Sequence, residues 1–232
     1  TRNLEAKSPA LCPLPSLFLV ADGMGGHNAG DFASKFLVEH LIGHLKGQPL
    51  QTPEIRALQD SIHTVNQMLY EKSLEDIGFQ GMGTTLVAAV FSGGKLYVAN
   101  IGDSRLYVVG KEIRQITKDH SYVEEMVALG RMNRGSEDYK RNKNIITRAV
   151  GTAVAVQIDF FEVSLKKGEQ FLLCSDGLPN MVEEKSIYKI VKNAPSLEVA
   201  VRILVDRANN SGGFDNISVI LVNPWESGVR PC

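Results

Sequence analysis

Three acidic residues share one local setting in this sequence, because each lies at the edge of an apolar run and close to glycine. They are Asp22 after the run 17–21, Asp176 after the run 171–174, and Asp215 before the run 217–221. An ionised carboxylate at the end of a buried strand is costly unless a partner compensates its charge. A divalent cation would do so, since carboxylate, carbonyl and water oxygens suit magnesium and manganese. Neighbouring glycines let a backbone carbonyl approach the same ion. The pattern therefore indicates a metal site with these aspartates as candidate ligands.

A fourth candidate, Asp103, lies between two predicted strands in the sequence Gly102-Asp-Ser-Arg105. In that position it is also a typical turn residue. The Asp-Gly pairs are themselves common turn signals, so each aspartate taken alone fits a turn as well as a metal site. Their joint occurrence at strand ends is what favours metal binding. Whether they meet in space depends on the fold.

The hydrophobic pattern predicts the elements that would position these residues. Apolar and β-branched runs predict strands over 17–21, 84–91, 95–101, 105–109, 112–116, 157–163, 171–175 and 216–222. Three- and four-residue spacing of apolar residues predicts helices after Gly26, after Thr52, over 123–129 and 184–191, and after Ser196. Short connections predict hairpins joining 84–91 to 95–101 and 95–101 to 105–109. Strands grouped together, with helices in pairs, predict an α+β fold in a single domain over residues 1–232.

The composition is that of an ordinary globular protein, with 232 residues of which 44% are hydrophobic and 22% charged. The 25 basic and 26 acidic residues give a net charge of −1, which indicates neither nucleic acid nor an anionic membrane as a partner. Residues 1–17 contain three prolines and no long apolar stretch, so neither a signal peptide nor a membrane span is predicted there. The three cysteines form no CxxC pair and fit a reducing compartment. We therefore expect a soluble, cytoplasmic protein.

Residues 119–148 form a polar segment with one predicted short helix and several basic side chains. An exposed, solvated loop is the simpler interpretation, because charged connecting segments usually lie on the surface. The alternative is a mobile basic flap beside the site that attracts phosphorylated substrates.

Six motifs follow one another along the chain. They are Leu19-Val-Ala-Asp-Gly-Met-Gly-Gly-His27, Gly81-Met-Gly-Thr-Thr85, Ala99-Asn-Ile-Gly-Asp-Ser-Arg105, Ile146-Thr-Arg-Ala-Val-Gly151, Leu173-Cys-Ser-Asp-Gly-Leu178 and Gly213-Phe-Asp-Asn216. Together they resemble the motif set of the metal-dependent serine/threonine protein phosphatases of type 2C, in their bacterial branch. The resemblance implies a four-layer α-β-β-α sandwich of two antiparallel sheets flanked by helix pairs. It also implies hydrolysis of phosphoserine and phosphothreonine in proteins.

The resemblance implies roles for individual residues as well. Asp22 would bridge two manganese or magnesium ions, and the carbonyl of Gly23 would bind one of them. Asp176 and Asp215 would be direct ligands, and Asp103 would help to hold a possible third ion. The nucleophile would be a water activated by two ions rather than a side chain. The expected partners are phosphorylated proteins, supplied by a serine/threonine kinase, and we expect a monomer.

The N-terminal sequence departs from the family pattern. The family begins with an arginine followed, a few residues later, by an acidic pair, whereas residues 1–17 hold a single acid, Glu5. Arg2 is a candidate contact for the substrate phosphate, but its spacing to Glu5 is short, and a frayed terminal residue is equally consistent. The first strand is either altered or incomplete in this sequence. The departure leaves open a catalytically weak module that binds phosphoproteins without hydrolysing them, which manganese-dependent hydrolysis would distinguish from an enzyme.

Overall fold

The computed structural model describes residues 16–46 and 54–225. The described strands are β1 (Ser16–Val20), β2 (Gly23–Met24), β3 (Gly83–Thr84), β4 (Leu86–Ser92), β5 (Lys95–Ile101), β6 (Arg105–Val109), β7 (Ile113–Gln115), β8 (Asp159–Ser164), β9 (Gln170–Cys174) and β10 (Val219–Val222). The described helices are α1 (His27–Leu45), α2 (Glu54–Glu75), α3 (Tyr122–Ala128), α4 (Glu137–Asn142), α5 (Glu184–Asn193) and α6 (Leu197–Asn210), with a 3₁₀ turn at Ile77–Phe79.

Two four-stranded sheets form the centre of the described fold. The first has the order β1-β4-β5-β8 and the second the order β10-β9-β6-β7, while β2 and β3 form a separate ribbon. Every neighbouring pair of strands is antiparallel. The predicted α+β fold with antiparallel sheets is therefore confirmed.

The first sheet is covered on both faces at β4, which explains why this strand is a continuous apolar run rather than an alternating one. Successive side chains of a strand point to opposite faces. In β4, Ala88 and Val90 pack in a cluster with α1 and α2. Val87 and Ala89 pack in a second cluster, with side chains of β6 and β9.

The second sheet is covered in the same way. In β9, Phe171 and Leu173 belong to the cluster shared with the first sheet. Leu172 and Cys174 belong to a third cluster, which contains residues of α5 and α6. Two helix pairs thus pack on the two sheets, and all three clusters are made of residues that the sequence pattern marks as apolar.

One predicted hairpin is correct and the other is wrong. β4 and β5 form the expected hairpin, in which Ser92 pairs with Lys95. β5 and β6 do not pair, because they lie in different sheets. Gly102 explains the difference: its N–H donates to His120 Nδ1 at 3.1 Å and its carbonyl accepts from the His120 N–H at 2.9 Å. The chain after β5 is therefore held by a residue beyond β7, and Asp103 lies where the chain crosses between sheets.

The polar segment 119–148 contains two helices, of which only α3 is expected from the sequence. Its two ends are joined by a short antiparallel contact, in which Ser121 bridges to Ile146 and Thr147 N–H donates to the His120 carbonyl at 2.9 Å. Ser136 caps α4 by accepting a hydrogen bond from Tyr139 N–H at 3.2 Å. The segment is thus a folded insertion that contains two helices and follows β7 of the second sheet, rather than an irregular loop.

Two strand boundaries also differ from expectation. Residues 83–84 pair with 23–24 in the ribbon instead of starting β4, and the last strand begins at Val219 rather than at residue 216. No helix in the described part of the chain is long and apolar enough to cross a membrane.

Candidate metal centre

The backbone of Asp22 is fixed by two threonines that precede β4. Its carbonyl accepts from Thr85 N–H at 2.8 Å and from Thr84 Oγ1 at 3.0 Å. Its own N–H donates to Thr85 Oγ1 at 3.0 Å. Because both threonines are buried, the backbone of the turn after β1 has little conformational freedom. The position of the Asp22 carboxyl group is therefore restricted by its own backbone.

Gly23 is required by close packing. A Cβ atom at Gly23 would lie 2.0 Å from the carbonyl oxygen of Gly30 in α1. The first turn of α1 therefore approaches the backbone beside Asp22 more closely than any side chain permits. This contact explains the glycine independently of the metal-binding role that the resemblance implies for its carbonyl.

Asp103 is linked to the same threonine through its neighbour Ser104. The hydroxyls of Ser104 and Thr85 lie 2.7 Å apart, and both side chains are buried. The side chain of Asp103 is itself only 7% exposed. One buried hydroxyl pair thus ties the turn that carries Asp22 to the sheet crossing that carries Asp103.

Asp176 and Asp215 are brought together by Ser175. The Ser175 N–H donates to the carbonyl of Ser218 at 3.1 Å, and the Ser218 N–H donates to Ser175 Oγ at 3.0 Å. Ser175 Oγ also donates to the Asn216 carbonyl at 3.2 Å. The segment leaving β9 therefore runs alongside the segment entering β10.

Strand register places all four aspartates at the same end of the two sheets. In the first sheet, Val87 pairs with Val20 on one side and with Asn100 on the other, so the segments leading to Asp22 and Asp103 leave at the same end of the sheet, on either side of β4. In the second sheet, Cys174 pairs with both Arg105 and Val219. Asp176 follows β9, whereas Asp103 precedes β6 and Asp215 precedes β10. The register therefore places Asp176 next to both Asp103 and Asp215. The sequence alone could not supply this convergence.

The electrostatics of the site agree with the register. Burial, then repulsion by Asp176 and Asp215, raises the pKa of Asp22 to about 7. Burial raises the pKa of Asp103 to about 7 as well, with repulsion from Asp176 and Asp119 adding to the effect. The pKa of Asp176 is raised by burial and by Asp215. Carboxyl groups that disfavour one another's ionised form in this way share one site.

A divalent cation fits this donor set. Among the described residues, Asp176 Oδ1 is buried without a hydrogen-bond partner, while Asp176 Oδ2 accepts from Asn180 Nδ2 at 2.9 Å. A buried carboxylate oxygen with no donor is costly unless a cation binds it. No three Asp, Glu, His or Cys side chains in residues 16–46 and 54–225 converge as a complete ligand set. Magnesium does not require one, because it keeps several waters and is bound through one or two carboxylates.

A second polar network lies beside the aspartates, and sequence reasoning missed its acidic member. Arg105 donates to both oxygens of Asp119, with its Nη2 at 2.6 Å from Asp119 Oδ2. Gln115 Nε2 donates to Asp119 Oδ1 at 2.8 Å, and Arg105 Nη1 donates to Tyr107 Oη at 2.9 Å. Arg105 belongs to a quoted motif, but Asp119 lies outside the strands and carries no local signal of its own, because its partner lies fourteen residues earlier, in β6.

These groups line a cleft of about 230 Å³. Its walls are Asp103, Arg105, Asp119, Ser121, Val123, Tyr139, Lys143, Asp176, Pro179 and Asn180. The polar segment therefore contributes one wall, through α3 and through the end of α4. Arg2 and Glu5 lie outside the described residues, so the phosphate contact considered for Arg2 stays a prediction.

Comparison with known proteins identifies the family. The family model described as Protein phosphatase 2C matches residues 13–209. The chain belongs to this family. The serine/threonine phosphatase stp of Listeria monocytogenes is 40% identical over 210 residues, which cover 89% of this chain and 83% of the relative. The resemblance carried by the six motifs is thus confirmed.

Solved structures of family members have the same fold. The serine/threonine phosphatase Stp1 of Staphylococcus aureus matches with a TM-score of 0.84 and 34% identity, over 88% of this chain and 82% of that one. The catalytic domain of the phosphatase PstP, solved in complex with two manganese ions, matches with a TM-score of 0.78 and 32% identity, over 88% and 86% of the two chains.

Proposed function

We propose that this protein is a metal-dependent serine/threonine protein phosphatase that hydrolyses phosphoserine and phosphothreonine in proteins at a binuclear manganese or magnesium centre. The observation that carries the proposal is the group of aspartates at one end of the two sheets, within a family whose named relatives are serine/threonine phosphatases. The alternative of a phosphoprotein-binding module without turnover is not favoured, because these relatives are named as enzymes.

The proposed ligands are those that the motifs imply. Asp22 would bridge two ions, with the carbonyl of Gly23 binding one of them, and Asp176 and Asp215 would complete the pair of sites. Asp103 would help to hold a third ion. The buried Asp176 Oδ1 and the mutual repulsion among the carboxyl groups support this assignment.

The described residues prepare the site for this chemistry. Two bound divalent cations would neutralise the phosphoryl group and lower the pKa of the attacking water. Thr84 and Thr85 hold the backbone of Asp22, and Asn180 orients Asp176 through its amide. Preorganised ligands of this kind reduce the rearrangement needed when charge develops on the substrate.

The cysteine of the described core does not offer a competing mechanism. Cys174 is fully buried, and burial raises the pKa of its thiol to about 12. Since the thiolate is the nucleophilic form, Cys174 is an inert core residue. A water nucleophile is therefore the consistent choice.

Several finer features belong to the same proposal. We propose one phosphatase domain with an α-β-β-α layer order, and the three core clusters support that order. Residues 119–148 would act as a flap over the cleft, as the position of Lys143 and Tyr139 in its wall suggests. A partner serine/threonine kinase, a monomeric state and a cytoplasmic location stay predictions of the sequence.

One assay tests the enzyme and the metal assignment together. We expect p-nitrophenyl phosphate and a phosphothreonine peptide to be hydrolysed only when manganese is added. Asp22→Asn should lower the rate by more than about 100-fold, since even residues that only support a metal's ligands are worth about 10- to 100-fold. Asp60→Asn makes the same change at an exposed position of α2 and should leave the rate unaltered. Absence of manganese-dependent turnover would refute the enzyme, and full activity in Asp22→Asn would refute the metal role.

A further inference from the structure

One basic side chain of the segment 119–148 lies inside the cleft. Lys143 follows α4 directly and lines the cleft together with Asp103 and Asp176. Its Nζ donates to Asn180 Oδ1 at 3.1 Å, and Asn180 Nδ2 donates to Asp176 Oδ2 at 2.9 Å. A single amide therefore separates the ammonium group of Lys143 from a proposed metal ligand.

Lys143 forms no direct ion pair with a carboxylate among the described residues, although its charge favours the ionised form of Asp176 and so offsets part of the rise in pKa that burial causes in that carboxyl. Four other basic side chains near the cleft are held in ion pairs: Arg105 with Asp119, Arg134 with Glu124, Lys140 with Glu137, and Arg148 with Asp159. In the described part of the chain, Lys143 forms no such pair, and its identified partner is the neutral amide of Asn180. Arg131 and Arg141 are exposed and lie outside the cleft wall. Lys143 is thus the cation that the segment directs into the cleft.

The chemistry of the ammonium group suits a phosphate ligand. A lysine ammonium has three N–H donors, and the hydrogen bond to Asn180 uses one of them. Hydrogen bonds between ionised partners are about twice as strong as neutral ones, and lysine is a common point-charge partner of phosphate. Three carboxyl groups, Asp103, Asp119 and Asp176, line the same cleft, so a cation beside them makes the local field more favourable for a phosphate dianion. Lys143 is only partly buried, so its remaining donors are accessible from the cleft.

We propose that Lys143 binds the phosphoryl group of the substrate, with Asn180 holding its ammonium group in place. The proposal rests on the proposed phosphatase function and adds a phosphate-binding residue that comes from the polar segment rather than from the sheet ends. Lys143 forms no covalent bond with phosphorus. Its contribution is to attract the dianion and to orient it.

The test compares Lys143→Met with Arg141→Met, which removes the same charge from an exposed position two residues away. Calorimetric titration of the manganese-loaded proteins with benzylphosphonate, a non-hydrolysable analogue, measures binding without turnover. We expect Lys143→Met to weaken phosphonate binding and to lower kcat/KM for p-nitrophenyl phosphate by roughly 10- to 100-fold. Arg141→Met should stay within about twofold, because an exposed charge is screened by salt. Lys143→Arg should recover most of the binding.

A separate manganese titration distinguishes direct from indirect action. The proposal requires manganese affinity to be the same in Lys143→Met and in the unmodified protein. If Lys143→Met binds phosphonate as tightly as the unmodified protein, Lys143 is not a phosphate ligand. If it instead loses manganese affinity while phosphonate binding at saturating manganese is unchanged, Lys143 acts through Asn180 on Asp176, and the proposal is equally wrong. Failure of the phosphatase function itself would show differently, as an unmodified protein that binds phosphonate without turnover.

Discussion

Replacing Asp22 by asparagine should make the metal-free protein more stable while it removes manganese-dependent activity. Burial, followed by repulsion from Asp176 and Asp215, raises the pKa of Asp22 from 3.8 to about 7. Between these values the folded protein holds a proton that the unfolded chain has released. The stability contributed by this group is therefore full below about pH 3.8 and is lost as the pH rises to about 7. Above that range, Asp22 is ionised at a cost that asparagine does not have.

The size of the effect follows from the shift. At about 1.4 kcal/mol per pKa unit, the full shift corresponds to about 4 kcal/mol. Water penetration and relaxation around the charge reduce this cost, so we expect a net gain on the order of 2 kcal/mol for Asp22→Asn at pH 8. For a chain of this length, that gain raises Tm by about 4 to 8 °C. At pH 5 the gain should be less than half as large, because Asp22 is then already protonated in the folded protein.

Thermal unfolding in EDTA at pH 5 and pH 8 measures this difference directly. Asp60→Asn removes the same charge from an exposed helix position and should change stability by less than about 0.5 kcal/mol at both pH values. Adding manganese at pH 8 should raise the Tm of the unmodified protein, since ligand binding to the folded state stabilises it, and should raise that of Asp22→Asn much less. An Asp22→Asn protein that is no more stable at pH 8, or that gains equally at pH 5, would refute the reasoning.

Two further predictions concern the backbone that positions the aspartates. Gly102 has φ +98°, and an added Cβ would lie 2.7 Å from Thr85 Cγ2, so Gly102→Ala should cost on the order of 2–3 kcal/mol in urea unfolding. Gly93→Ala, also at positive φ but with no atom within 4 Å, should cost only about 1 kcal/mol. Thr85→Val leaves the N–H of Asp22 without its acceptor and should cost about 1–3 kcal/mol together with most of the manganese-dependent activity. Thr64→Val, on an exposed face of α2, is the matched control and should leave the activity unchanged.

The central strands β4 and β9 were predictable because each packs on both faces. The run 86–91 contains no polar residue, so its composition indicates a buried strand without any knowledge of the strands that it pairs with. The family was predictable for a related reason, since six short motifs in a fixed order are specific together. Both predictions used information contained within short stretches of the chain.

The features that were not predictable either have a weak local signal or depend on partners far along the chain. α4 is short and polar, and only its cap at Ser136, with acidic residues in the first turn, marks it as a helix. The Arg105–Asp119 network joins residues fourteen positions apart through the geometry of the second sheet. Local residue types do not encode the Arg105–Asp119 pair.

At Gly102 the chain crosses from the first sheet to the second instead of forming the predicted hairpin, and this crossing also determines where Asp103 lies. A hairpin there would leave Asp103 in a solvent-exposed turn at the edge of one sheet, where water would favour its ionised form. Because the chain passes instead from the first sheet to the second, Asp103 is 7% exposed and lies between the strand ends that carry Asp22 and Asp176. The same crossing sets β6 beside β9, and the register of Arg105 with Cys174 then fixes where Asp176 emerges. The glycine that resembles a turn signal is therefore what allows acidic residues from both sheets to share one site.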